Sequence, residues 1–142
     1  MTMTYQQEQM LHAATARAAI LDLSARHNRA YSDGDRDTWI ATFRHAGASY
    51  TRDGEPVDDL SSAFDGGNGQ RLVTLDHEIH VDGVNAIQRC AAVLFAVSGY
   101  GDATLLATGT YRDQLSYERG GWYFTSRELH WDSVPSRFPL VM

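Results

Sequence analysis

The residues with the most useful chemistry in this chain are His27, Tyr31 and Ser32 near one end of a Pro-free and Gly-free stretch, and Asp76 and His77 far downstream. A neutral imidazole both gives and takes a proton near pH 7, so His27 and His77 are candidates for proton transfer in elimination, isomerisation or enol chemistry. Tyr31 can give a proton or polarise a carbonyl. Ser32 and Asp76 are candidates for holding a ligand. Tyr50 and Trp131 add aromatic area, which suits a flat or polycyclic ligand bound by shape, with the phenol contributing a hydrogen bond.

Each of these residues has a structural reading beside the chemical one. His27 shares its spacing with Ile20, Leu23 and Tyr31, so it faces either a core or a pocket. His77 and His80 belong to one extended stretch in which side chains alternate, so only one of them faces inward. Ile79 and Val81 select His77. Asp76 can equally cap the strand. Asp53 precedes Gly54 and is explained by turn chemistry. Trp39, Phe43, Trp122 and Phe124 read as core, and Arg127 as an outward strand residue or as an enolate or carboxylate neutraliser. Cys90, the only cysteine, lies in Cys90-Ala91-Ala92-Val93-Leu94-Phe95 and reads as buried filler.

The elements that position these groups follow from pattern. Gln9 to Tyr31 carries apolar residues at spacings of three and four and is expected to be an amphipathic helix. Ser32-Asp33-Gly34 breaks it, and Asp35 is placed to cap a second helix from Arg36 to Phe43. A short strand is expected over 48–52, and a third short helix over 58–64. From Arg71 onward, four β-branched and aromatic runs are separated by Asp82-Gly83, Gly99-Tyr100-Gly101-Asp102 and Gly120-Gly121, which predicts an antiparallel meander. Helices first and strands afterward is the α+β pattern. The segment 134–142, with two prolines, is expected to pack as an extended flap.

Length and composition narrow the options further. At 142 residues, 43% hydrophobic and 21% charged, the chain suits one globular domain spanning 1–142. The formal charge of -6 and the scattered basic residues argue against a nucleic-acid partner. No apolar run is long enough for a membrane span, and the first residues lack the pattern of a signal peptide, so a cytoplasmic location is expected. No zinc spacing, P-loop or dinucleotide fingerprint occurs, so no cofactor and no metal are expected.

Taken in order, Arg17-Ala18-Ala19-Ile20-Leu21-Asp22-Leu23, Gly34-Asp35, Ile79-His80-Val81-Asp82-Gly83, Gly109-Thr110-Tyr111-Arg112-Asp113 and Gly121-Trp122-Tyr123-Phe124 resemble the SnoaL-like branch of the nuclear-transport-factor-two-like superfamily. The branch includes polyketide cyclases, scytalone dehydratase and ketosteroid isomerase. The resemblance implies a cone in which helices pack on a strongly curved, mostly antiparallel mixed sheet around a pocket, and a homodimer formed through the sheet. It also implies an aspartate at the position held by Ser32 and a histidine near Leu75, a departure that Asp76 or His77 would repair with a local gap.

The function expected on these grounds is a cofactor-independent cyclase or dehydratase, a lyase or isomerase acting on a polyketide-like or largely apolar carbonyl compound. His27, Tyr31 and His77 are its candidate catalytic residues, and Ser32, Tyr50, Asp76 and Trp131 its candidate substrate-binding residues. The alternatives are proton transfer of the ketosteroid isomerase type and a non-catalytic ligand-binding or assembly domain.

Overall fold

The computed structural model describes residues 2–132. The expected flap over 134–142 lies outside the described residues.

The first helix, α1, runs Tyr5–Asp33. Thr4 caps it by accepting from the Gln7 backbone N–H while the Gln7 side chain accepts from the Thr4 N–H, which satisfies two of the free donors at the helix start. Its buried face is Ala16, Ile20, Leu23, Ser24, His27, Ala30 and Tyr31, so only the C-terminal half of the helix packs on the body. Gly34 ends it at φ 73°, a left-handed conformation in which glycine carries no Cβ penalty. Asp35 then caps α2 (Arg36–Ala41) by accepting from Thr38 N at 3.1 Å. This helix stops before Phe43, because Phe43 has left the helix to bridge Phe124 in the sheet.

After β1 (Ser49–Arg52), Asp53 and Gly54 both take positive φ and turn the chain into β2 (Glu55–Val57). A single-turn helix, α3 (Leu60–Ala63), precedes the meander β3 (Gln70–Asp82), β4 (Asn85–Val97), β5 (Ala103–Glu118) and β6 (Gly121–Trp131). The order across the sheet is β2-β1-β6-β5-β4-β3, with only β1 and β6 parallel. The result is a mixed, curved, open six-stranded sheet with the helices over its inner face, in the α+β class.

Bulges decide which side chains face inward. Leu72 and Thr74 point toward the helices, then the register shifts between Leu75 and Glu78 with Asp76 at φ 54°. Beyond that shift the inward set is His77, Ile79 and Val81. A second shift on β6 moves the inward set from Trp122 and Phe124 to Arg127, Leu129 and Trp131. One core results, in which Trp39, Phe43, Trp122 and Phe124 are all buried.

Candidate active-site cavity

A cavity of about 310 Å³ opens on the inner face of the sheet. Leu72, Leu94, Ala107 and Leu129 make it apolar, while Tyr31, Tyr50, Tyr111 and Trp131 supply aromatic walls. Arg52, Asp65 and Gln70 add polar groups to the same lining. Two larger depressions, of about 410 and 490 Å³, lie on the outer face among Glu78, Arg89, Arg112 and Glu128. Their lining charges stand largely in water, whereas the inner cavity combines apolar walls with converging phenols, the arrangement that suits a small organic ligand.

The loop after α3 brings Asp65 to this place. Gly67 N donates to the Tyr31 carbonyl at 2.7 Å, and a Cβ on Gly66 would collide with that same oxygen. Two glycines thus let the loop press against the end of α1. There the Tyr31 hydroxyl donates to Gln70 Oε1 at 3.1 Å, with the Asp65 carboxylate beside it. Arg52 Nη2 donates to the Ala63 carbonyl at 2.7 Å and lies 3.7 Å from Asp65 Oδ2.

Burial, followed by the charge of Asp65, raises the pKa of Tyr31. Burial also raises those of Tyr50 and Tyr111. All three phenols therefore remain protonated at neutral pH and can act as O–H donors.

Behind the cavity lies a dry ion pair. Arg127 donates from Nε to Asp113 Oδ1 at 2.7 Å and from Nη2 to Oδ2 at 3.0 Å, both side chains being 0% exposed. Its guanidinium lies 3.6 Å from the centre of the Tyr111 ring and 4.1 Å from that of Phe124. Asp113 Oδ2 also accepts from Gln88 Nε2 at 2.8 Å, which orients the amide. Gln88 Oε1 must then accept from His77 Nδ1–H at 2.8 Å, and His77 Nε2 accepts from the Thr74 hydroxyl at 3.0 Å. His77 is thereby held in one tautomer at the seam between α1 and the sheet.

His27 is fully buried among Trp39, Phe43, Tyr111 and Phe124, with ring centres 5.0 to 6.3 Å away. The Thr42 hydroxyl donates to the Trp39 carbonyl at 2.6 Å, so its oxygen accepts from His27 Nδ1–H at 2.9 Å. Nε2 is left as a buried acceptor without a partner among the described residues. Burial, and secondarily the charge of Arg127, pushes the His27 pKa well below 6.5.

A pH effect on stability follows from this burial. The unfolded chain binds a proton at His27 below pH 6.5 and the folded chain does not, so stability falls as pH drops below that value. Below pH 6.5 the slope should rise toward about 1.4 kcal/mol per unit, and His27→Phe should remove that share. Urea melts of both proteins across this range check it; parallel curves would show that His27 is protonated in the folded state.

Of the seven residues singled out from sequence, Tyr31, Tyr50 and Trp131 share the cavity. His27 is in the wall behind Tyr111, and His77 is committed to Gln88 and Thr74. Ser32 Oγ accepts from Leu72 N at 3.0 Å and clasps α1 to β3. Asp76 occupies the bulge with its side chain exposed. Arg52, Asp65, Gln70 and Tyr111 were not singled out as lining residues. Tyr111 carried a signal, since it alternates with Ala107, Gly109, Asp113 and Leu115. Asp65 and Gln70 flank a glycine loop, where periodicity carries no information.

The family model of the SnoaL-like domain matches residues 12–128. This chain belongs to the SnoaL-like family. Among curated proteins none matches it in sequence. A solved protein of unknown function from Mycobacterium tuberculosis is 25% identical with a TM-score of 0.75, covering 100% of this chain and 83% of its own. A scytalone dehydratase-like protein from Novosphingobium aromaticivorans is 16% identical with a TM-score of 0.72, covering 84% of this SnoaL-like chain and 86% of its own. The β subunit of an aromatic-ring-hydroxylating dioxygenase from the same organism is 18% identical with a TM-score of 0.69, covering 85% and 92%. The last two likenesses show the fold alone. Among the described residues, no helix is long and apolar enough to cross a membrane.

Proposed function

We propose that this SnoaL-like protein is a cofactor-independent cyclase or dehydratase acting on a polyketide-like or largely apolar carbonyl compound in the inner cavity. The observation that carries this reading is the meeting of protonated phenols with one carboxylate, Asp65, around an apolar space. A carbonyl oxygen seated there would accept from the phenols, and the charge that develops when a neighbouring carbon loses its proton would be stabilised by the same donors.

In an elimination, Asp65 takes the proton from the carbon next to the carbonyl. The C–O bond at the following carbon breaks with a proton from Tyr31, and water leaves as the double bond forms. In a cyclisation the same enolate carbon attacks a second carbonyl carbon of the folded substrate, the π bond of that carbonyl opens onto its oxygen, which takes a proton from Tyr31, and the cavity contributes by holding the two ends together. Proton transfer without loss of water, as in ketosteroid isomerase, would use Asp65 alone. His27 and His77 serve as positioning residues, His27 by backing Tyr111 and His77 by fixing the seam between α1 and β3. A homodimer would form through the outer sheet face, where one cross-strand row runs Glu78, Arg89, Arg112 and Glu128, with the two arginines side by side.

One observation favours a second reading, a ligand-binding or assembly domain: both His27 and His77 are committed to internal partners, and among the described residues no imidazole lines the cavity. The deciding experiment incubates the protein with one-, two- and three-ring carbonyl compounds and linear polyketide mimics, followed by mass spectrometry. A product lighter by one water supports elimination or a dehydrating ring closure; a product of equal mass with a new ring or a moved double bond supports simple cyclisation or isomerisation. Ligands that bind without conversion would establish the second reading.

A further inference from the structure

Arg52 ends β1, on the inner face that it shares with Tyr50, and lines the cavity. Its side chain is only 31% exposed, and its Nη2 makes a 2.7 Å contact to the Ala63 carbonyl. Its acidic neighbour, Asp65, stands 3.7 Å away with 60% of its side chain in water. The Tyr50 hydroxyl also takes a hydrogen bond from the guanidinium, and among the described residues its other N–H groups have no further partner. A guanidinium presents five donors in a plane and can offer two of them side by side to a carboxylate. Tyr50 lies under this group, 5.4 Å from ring centre to Cζ, and Trp131 lines the same space.

We propose, resting on the reading of the inner cavity as a small-molecule site, that Arg52 selects the ligand and that the cavity takes a one- or two-ring aromatic carboxylate whose acid group docks on the Arg52 guanidinium. The ring lies between the phenols and the apolar floor, and a volume of about 310 Å³ limits its size. A ligand carboxylate approaching within hydrogen-bond distance displaces Asp65 from its long contact with Arg52. Asp65 is then left beside Tyr31, where proton transfer is proposed.

The acidity of the chain sharpens this inference. With a formal charge of -6, the protein as a whole repels anions, so a preference for a carboxylate over a neutral ligand of equal shape must arise from a local cation. A single guanidinium, with no other cation in the lining among the described residues, also matches a monoanion better than a phosphate.

The test is calorimetric titration of the full chain with 2-naphthoate and 2-naphthamide, which share a shape and differ in charge. Wild type should favour the carboxylate by about tenfold or more, the scale of one charge-assisted hydrogen bond. Arg52→Gln should lose that preference while binding the amide as before, which also shows that the variant is folded, and Arg52→Lys should keep part of it. Equal binding of both ligands to wild type, or a preference that survives in Arg52→Gln, would overturn the role of Arg52 and leave the cavity reading intact. Binding of neither ligand would refute both.

Discussion

Asp113→Ala is expected to destabilise the protein by about 3–5 kcal/mol, because it leaves the Arg127 guanidinium charged, dry and unpaired. Arg127 is 0% exposed and its pKa is raised, with the Asp113 charge the chief favourable influence against burial, so it cannot escape by losing its proton. Nη1 already lacks a partner among the described residues, and the substitution would strand Nε and Nη2 as well. Gln88 loses the nearer of its two acceptors in the same step, keeping the Ser24 hydroxyl at 3.2 Å. For a chain of this length the melting temperature should fall by roughly 10 °C or more. Urea denaturation of wild type, Asp113→Ala and the double variant Asp113→Leu/Arg127→Met checks the prediction. The double variant should recover most of the loss, since it removes both buried charges together. A loss below about 1 kcal/mol for Asp113→Ala would mean that water reaches Arg127 and screens it.

Tyr31→Phe is expected to lower turnover of a converted substrate by about 100-fold with little change in KM, since it removes a donor that acts most strongly as charge develops. The ring would still pack against Phe64, whose centre is 6.0 Å away, and the cavity would keep its shape. The bond to Gln70 and the contact with the half-solvated Asp65 are lost from the folded protein, so stability should change by about 1 kcal/mol. Steady-state kinetics beside a thermal melt separate the two effects. A drop in turnover matched by a drop in melting temperature would identify a packing role, and unchanged kinetics would move the chemistry away from Tyr31.

Much of the scaffold was legible because it depends on local rules. The face of α1 carrying Ile20, Leu23, His27 and Tyr31 follows from 3.6-residue periodicity, and Asp35 as a cap follows from the break at Gly34. The hairpins follow from their turn residues. What alternation cannot reveal is where its phase changes. Arg127 read as an outward strand residue or as a neutraliser of an enolate or carboxylate; unbroken alternation from Trp122 and Phe124 would turn it outward, yet the shift on β6 turns it inward with Leu129. Its partner Asp113 sat within the family-like run Gly109-Thr110-Tyr111-Arg112-Asp113, in an otherwise apolar inward set. The pairing of two distant strands joined these signals. Likewise, His27 could be placed on the inner face but not assigned to core or pocket, because that depends on Trp39 and Phe43 arriving from the next helix and its exit. The mouth groups Arg52, Asp65 and Gln70 come from a strand end, a glycine loop and a strand start, which no single pattern connects.

The extra residue at Asp76 also makes β3 a strand of two halves whose relation depends on counting. Leu72 and Thr74 belong to one half, and His77, Ile79 and Val81 to the other. Because side chains alternate, removing one residue at the joint would exchange the inner and outer sets of whichever half gave way, presenting Glu78 and His80 to the helix in place of Ile79. Chain length at this point is thus as much a specification of the inner face as any side chain on it. Point substitution at Asp76 leaves that specification intact; a deletion there would rewrite half a strand at once.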